Sequence, residues 1–183
     1  VQDKAIPEFR FISSRRGMDY RIRDKIDYPL SLITIRGLSR SGFLRNLLFP
    51  ILLISATIKS MILMFKYSPH CVIGTGGYVM GPVLLAAVTL NKLTVIQEQN
   101  SYPGLTTRRL ASKVNKVFLG FEAARKHLSD ITNTFITGNP VKKNIGKVSR
   151  RDAREHFGFK DDDKVILILG GSQGATSINQ NII

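Results

Sequence analysis

The sequence predicts an α/β protein built on parallel sheets. Short apolar runs alternate with helix-like segments along most of the 183 residues, and this alternation is typical of βαβ units. Two predicted strands, at 71–74 and 164–169, lead into glycine-rich turns at 74–78 and 170–175, each followed by a segment that can form a helix. A strand, a glycine turn and a helix N-terminus place backbone N–H groups where they bind phosphate. The two turns therefore predict a protein that binds two phosphorylated molecules.

The early elements are two short strands, at 9–13 and 32–35, with a charged surface helix between 15 and 27. The apolar stretch 47–65 approaches the length of a membrane span. Pro50 suits a first helical turn, and a helix would place Ser55, Lys59 and Lys66 on one stripe. We therefore expect an amphipathic crossover helix that joins two strands of one sheet.

Further along the chain, strands and helices alternate regularly. Strands are predicted at 71–74, 93–97, 116–119, 134–137 and 164–169, and helices at 81–90, 104–112, 121–128 and 150–157. Gly138-Asn139-Pro140 breaks the pattern, and a linker without periodicity follows at 142–149. We expect a first domain at 1–141 and a second beginning at 142–183. Because the last βα unit opens at 164, the sequence indicates a fragment.

Composition limits the possible partners and compartment. The formal net charge is +14, which favours polyanions: nucleic acid, an anionic membrane or phosphorylated ligands. No nucleic-acid-binding motif accompanies this charge, so we expect no nucleic acid. The single cysteine excludes an internal disulfide and suits a reducing compartment. The three histidines of the chain, His70, His127 and His156, are too scattered to predict a metal site.

Two segments have both a functional and a purely structural interpretation. The polar residues 97–104 follow a strand and so lie at the edge of an α/β sheet where ligands bind; their amide side chains suit sugar hydroxyls. The structural interpretation is a polar loop that Pro103-Gly104 ends. The segment 36–49 mixes arginines with apolar residues. It predicts a membrane-surface patch of Arg40, Phe43, Arg45 and Phe49, or a loop whose apolar residues pack against the next helix.

The first glycine turn does not match the dinucleotide fingerprint, which disfavours a nicotinamide enzyme.

Taken in order, four motifs resemble the MurG family. They are GTGGYVMGP at 74–82, EQNSYPG at 98–104, TGNPV at 137–141 and GGSQGA at 170–175. The resemblance implies a GT-B fold, two Rossmann-like domains with a cleft between them. The family's first strand and its G-G-T-G-G-H turn are expected to be missing here, as is most of the second domain. The implied activity is transfer of N-acetylglucosamine from UDP-GlcNAc to lipid I, giving lipid II for peptidoglycan, with inversion and without a metal or other cofactor.

The resemblance also implies roles for particular residues. Gly76, Gly77 and Tyr78 match the turn that faces the acceptor diphosphate. The matches for donor binding are Asn100, Lys142, Gly171, Ser172, Gln173 and Gly174. Lys142 stands where the family usually has arginine, and Gln97 where it usually has histidine. The base is expected in the missing first turn; Glu98 is the nearest carboxylate in a suitable loop, although it also suits a role in orienting that loop.

The implied partners are UDP-GlcNAc, undecaprenyl-linked lipid I and an anionic inner-membrane surface, with peripheral attachment at the cytoplasmic face. Two other functions stay open at this point. One is a non-catalytic half-domain that recruits a partner to the membrane. The other is a related lipid glycosyltransferase with a different acceptor, such as a diacylglycerol.

Overall fold

The computed structural model describes residues 6–15, 18–21, 23–25, 27–38, 46–143, 145–169 and 176–182. The chain divides into two compact units, residues 1–139 and 140–183. Each unit is described by itself below.

Parallel β-structure organises the first unit. Its strands are β1 (Phe11–Ser14), β2 (Leu30–Ile33), β3 (Cys71–Gly74), β4 (Leu93–Glu98), β5 (Lys116–Leu119) and β6 (Thr134–Ile136). Within the described ranges they form a two-stranded sheet, β1-β2, and a four-stranded sheet, β3-β4-β5-β6. Every pairing is parallel. The prediction of a parallel α/β fold is confirmed.

Helices connect these strands. They are α1 (Met18–Arg21), α2 (Phe49–Tyr67), α3 (Met80–Thr89) and α4 (Leu105–Leu110), with 3₁₀ segments at Arg23–Lys25, Ala111–Lys113 and Glu122–His127. The helix predicted at 121–128 is therefore wrong in type. Ala124 is the only buried residue of that 3₁₀ segment, so the segment lacks the apolar face that stabilises a longer α-helix.

The long helix α2 is apolar on most of its surface. By length and composition it could cross a membrane, but it packs against α3 and buries Ala56, Ser60 and Met64 there. We expected a polar stripe to make this helix amphipathic, but large apolar side chains dominate its outward face. Those that are at least half exposed are Ile51, Ile54, Ile58, Ile62 and Phe65. The flanking strands β2 and β3 also lie in different sheets in the described structure, which corrects the expectation of one sheet.

Two hydrophobic clusters form the core of this unit. One lies between the four-stranded sheet and its helices and centres on Leu84, Ile96, Val117 and Leu119. The other joins Ile33 to Ala56 and Met64 of α2 and to Ala86 of α3. The second cluster thus packs the two-stranded sheet onto the helices that flank the larger sheet.

The second unit contains α5 (Arg150–Phe157) and α6 (Thr176–Ile182). The Asp152 N–H donates to the Ser149 hydroxyl at the start of α5, and Gly158 ends the helix with φ 73°, as expected for a serine N-cap and a glycine C-cap. The strand predicted at 164–169 does not form; the apolar side chains of residues 165–169 are exposed. A strand requires a partner, and within the described ranges no strand pairs with this segment.

Candidate functional site

The candidate site lies at the carboxyl edge of the four-stranded sheet. Parallel strands end at the same edge, so the segments after β3, β4, β5 and β6 meet there. These are residues 75–79, 99–104, 120–121 and 137–139. In open α/β sheets this edge is the usual position for ligands.

The turn after β3 has a backbone that only glycine adopts readily. Gly76 has φ 103° and Gly77 has φ 76°, both in the left-handed region. The helix α3 follows at Met80, and Val79 before it provides no side-chain cap. The first N–H groups of α3 therefore point toward the turn without a capping side chain, and the positive end of the helix dipole lies there.

Tyr78 ties this turn to the two-stranded sheet. Its phenolic oxygen lies 2.9 Å from the hydroxyl of Ser14 at the end of β1. A Cβ placed on Gly37 would lie 3.5 Å from the tyrosine ring, so the chain after β2 passes close to its face. The Tyr78 side chain is thus held in place from two sides.

Glu98 lies at the end of β4, and its orientation follows from the strand's alternation. Thr94, Ile96 and Glu98 face inward, and Glu98 is 2% exposed. One carboxylate oxygen accepts from the Asn100 backbone N–H at 3.0 Å and from Asn100 Nδ2 at 2.9 Å. The other accepts from the Gly104 N–H at 3.1 Å and from the Thr107 hydroxyl at 2.7 Å.

These hydrogen bonds decide the charge of Glu98. Burial raises the pKa of the carboxyl group, but the bonds from Thr107, Asn100 and Gly104 together outweigh burial, and the net pKa is lowered. Glu98 is therefore ionised at neutral pH. Because each oxygen already accepts two donors, the carboxylate is poorly suited to take a proton from a substrate. These four contacts suit a residue that orients the loop after β4.

A chain of amide side chains connects three of the edge segments. Gln99 Nε2 donates to the Thr75 carbonyl at 2.9 Å and to Gln97 Oε1. Gln97 Nε2 donates to Asn139 Oδ1 at 3.2 Å, and Asn139 Nδ2 donates to the Gln99 carbonyl at 3.1 Å. Sequence reasoning missed this connection, since Gln97 and Asn139 lie 42 positions apart.

Gly120 makes room for this amide chain. A Cβ at Gly120 would overlap the Asn139 amide. The asparagine of the Gly-Asn-Pro motif therefore lies directly against the backbone that follows β5. A glycine at this position is required by close approach and not by an unusual φ.

The structure brings some of the predicted site residues together. Gly76 lies next to Gln99, whose Oε1 would be 3.4 Å from a Cβ on the glycine, and Asn100 is bonded to Glu98. Lys142 is exposed and belongs to the second unit, and Phe49 is half-buried at the first residue of α2. The remaining predicted residues lie outside the described ranges: Arg40, Phe43, Arg45, Gly171, Ser172, Gln173 and Gly174. Their roles stay predictions.

The described side chains do not form a metal-binding cluster. No three His, Cys, Asp or Glu residues of the described ranges come together in a way that could hold a metal ion. The site's chemical resources are backbone N–H groups, a helix N-terminus, and amide side chains, of which Asn100 is held by the Glu98 carboxylate.

Comparison with known proteins places the chain in a family. Residues 3–119 match the N-terminal domain of glycosyltransferase family 28. Two relatives are each named UDP-N-acetylglucosamine--N-acetylmuramyl-(pentapeptide) pyrophosphoryl-undecaprenol N-acetylglucosamine transferase. The protein from Chlorobaculum parvum is 37% identical over 98% of this chain and 51% of its own length. The protein from Bacillus subtilis is 36% identical over 96% of this chain and 48% of its own length.

A solved structure agrees with these relatives. The crystal structure of Acinetobacter baumannii MurG matches with a TM-score of 0.66 and 27% identity, over 96% of this chain and 45% of that one. The chain spans about half the length of the curated relatives it matches. With a domain match over residues 3–119 and MurG similarity along nearly its whole length, the chain belongs to glycosyltransferase family 28 and, within it, to the MurG family.

Proposed function

We propose that this chain forms the acceptor-binding part of an enzyme that transfers N-acetylglucosamine from UDP-GlcNAc to the muramyl C4 hydroxyl of lipid I. The observation that supports this most is the turn at Gly76 and Gly77, which precedes the uncapped N-terminus of α3. Backbone N–H groups and the helix dipole favour a dianionic group at that position. The diphosphate of the lipid acceptor has the required charge.

The polar loop beside this turn would meet the acceptor sugar, which moves Asn100 from the donor-binding set that the resemblance implies to the acceptor side. Asn100 is exposed, and its backbone and side-chain amides are fixed by Glu98. An ordered amide next to a diphosphate site suits the hydroxyl and N-acetyl groups of the muramyl residue. The loop and the turn are thus assigned to neighbouring parts of one substrate.

The chemical step follows from these assignments. The C4 hydroxyl oxygen attacks C1 of the donor sugar, the bond from C1 to the UDP oxygen breaks, and a base takes the hydroxyl proton. Displacement from the opposite face inverts the anomeric centre. Each Glu98 oxygen already accepts two donors, so we do not assign the base to Glu98 and place it, as the resemblance implies, in the family's first glycine turn. The leaving UDP would be stabilised by Lys142 and by the turn containing Gly171, Ser172, Gln173 and Gly174, without a metal ion.

A direct test is transfer of radiolabelled GlcNAc to a lipid I analogue by a protein of the relatives' full length that contains this chain. The proposal predicts labelled lipid II that is formed in the presence of EDTA. The absence of both transfer at any pH and protection of the second unit by UDP-GlcNAc would indicate a recruiting module instead. Transfer to diacylglycerol but not to lipid I would indicate a lipid glycosyltransferase with another acceptor.

We also propose that the enzyme attaches peripherally to the anionic cytoplasmic face of the inner membrane. The supporting observation is the exposed apolar face of α2. Arg40 and Arg45 of the predicted membrane-surface patch precede this helix in the sequence. Because α2 also buries Ala56, Ser60 and Met64 within the unit, a surface position suits it better than a spanning one. Each inserted isoleucine would contribute about 1 kcal/mol when half of its side chain leaves water, and each arginine about as much.

Vesicle binding tests this attachment. Ile54→Ser with Ile58→Ser should weaken binding to phosphatidylglycerol-containing vesicles by about 10- to 30-fold, as expected for about 2 kcal/mol. Ile131→Ser is the matched control, since Ile131 is half exposed but lies outside α2. Equal binding of the double variant and the unaltered protein would contradict a role for α2 in attachment.

A further inference from the structure

The Glu98 carboxylate connects both ends of the loop 99–104. At the beginning of the loop it accepts the two Asn100 bonds, and at the end it accepts the bonds from Gly104 and Thr107. Thr107 lies in the first turn of α4 and is 1% exposed. A single buried carboxylate therefore fixes the loop's entry, its exit and the start of the next helix.

The contact with Asn100 has a consequence for the substrate. An amide side chain has a donor end and an acceptor end. Because Glu98 accepts from Nδ2, the Asn100 NH₂ group is turned inward and the Oδ1 atom is left for a ligand. Asn100 then offers a hydrogen-bond acceptor, which suits a hydroxyl or amide N–H of the substrate.

We propose that Glu98 is a positioning residue that fixes the polarity of the Asn100 amide, so that Asn100 accepts a hydrogen bond from the acceptor sugar. This inference rests on the proposed function for the identity of the ligand. Glu98 acts through Asn100 and does not exchange a proton with the substrate.

The amide and alanine variants distinguish positioning from proton transfer. In Glu98→Gln the side chain keeps its shape, and its Oε1 retains both Asn100 bonds. Its NH₂ group can donate to the Thr107 hydroxyl oxygen but cannot accept from the Gly104 N–H, so that bond is lost. We expect kcat/KM within about tenfold of the unaltered enzyme, as the loss of one hydrogen bond that does not involve Asn100 implies. Glu98→Ala releases Asn100 and should lower kcat/KM by about 100-fold. A general base contributes roughly 10²- to 10⁴-fold, so equally severe losses in both variants would overturn the proposal.

A double-variant cycle measures the coupling directly. If Glu98 acts through Asn100, then Glu98→Ala with Asn100→Ala should be no more than about threefold less active than Glu98→Ala alone. If the double variant instead loses activity by the product of the two single-variant losses, the proposal is overturned. The acidic limb of the pH profile of kcat/KM should also lie at the same pH in Glu98→Gln as in the unaltered enzyme; its disappearance would identify Glu98 as the base.

A matched control and a second readout complete the experiment. Asp130 also accepts from a backbone N–H and a threonine hydroxyl, both of Thr132, but in a loop before β6. Asp130→Asn should leave kcat/KM unchanged within about twofold. Backbone hydrogen exchange of Asn100 should accelerate at least about tenfold in Glu98→Ala and much less in Glu98→Gln, which keeps the oxygen that accepts this N–H. Unchanged exchange in Glu98→Ala would refute the positioning role, whereas an unaltered enzyme without transferase activity would refute the proposed function alone.

Discussion

Removing the Thr107 hydroxyl isolates one hydrogen bond of the Glu98 cluster. Thr107→Val keeps the shape and volume of the side chain and deletes the donor that lies 2.7 Å from the carboxylate. Both groups are almost fully buried, so water cannot replace the lost partner. Of the donors that the described part of the chain supplies to this oxygen, the Gly104 N–H remains.

The magnitude follows from the charge of the acceptor. Hydrogen bonds to charged groups contribute about 1.5–3 kcal/mol, and we expect Thr107→Val to lower the free energy of unfolding by that amount at pH 7. For a chain of this size the corresponding fall in the thermal midpoint is about 3–12 °C.

The loss should depend on pH with a defined sign. The pKa of Glu98 is lowered in the folded state, so its ionised form stabilises the fold at any pH above the ordinary glutamate pKa of about 4.3. This contribution is lost as the pH falls through the folded-state pKa. The difference between Thr107→Val and the unaltered chain should therefore be constant from pH 5 upward and shrink in stronger acid.

Urea unfolding at several pH values measures this difference, with Thr107→Ser as the control. Serine keeps the hydroxyl and loses one methyl group, which costs about 1 kcal/mol, and this cost should not vary with pH. A Thr107→Val penalty that is below about 0.5 kcal/mol at pH 7, or that does not shrink as the pH falls toward acid unfolding, would refute the account of Glu98 as a buried ionised acceptor.

Three further substitutions test other contacts by thermal unfolding. Gly120→Ala should destabilise the first unit by about 1–3 kcal/mol, because the new Cβ displaces the Asn139 amide; a neutral effect would contradict the close approach. Tyr78→Phe should cost about 0.5–1.5 kcal/mol, since it leaves the buried Ser14 hydroxyl without its 2.9 Å partner, and a gain in stability would argue against that bond. Ser149→Ala should cost about 1 kcal/mol through loss of the α5 N-cap, and unchanged helicity and midpoint would argue against the cap.

Local sequence signals were sufficient where an element is defined by its own residues. The predicted bounds of β3 and β5 coincide with the observed ones, because both are short, mostly apolar runs flanked by polar residues or glycine. The bounds of α5 coincide as well, since Ser149 and Gly158 fix its ends. The segment 164–169 has the same apolar pattern but no pairing partner among the described residues, so composition alone did not make it a strand.

The candidate site was predictable in part. The glycine turn and the polar loop were identified from their positions after two strands. The Glu98 cluster was not, although one signal existed: Glu98 is in phase with the buried Thr94 and Ile96. The amide chain had no local signal, because it joins Gln97 to Asn139 across two strand pairings.

The central claim is that the turn before α3 binds the acceptor diphosphate, and substrate kinetics of Gly77→Ala test it most directly. Gly77 has φ 76°, and no atom of the described residues lies within 4 Å of an added Cβ, so alanine strains the turn by about 1–2 kcal/mol without a clash. Gly158→Ala, at φ 73° and equally open in the second unit, is the matched control. The account predicts that Gly77→Ala raises KM for the lipid acceptor about tenfold and leaves KM for UDP-GlcNAc within about twofold. An unchanged acceptor KM, or a rise in the donor KM alone, would contradict it.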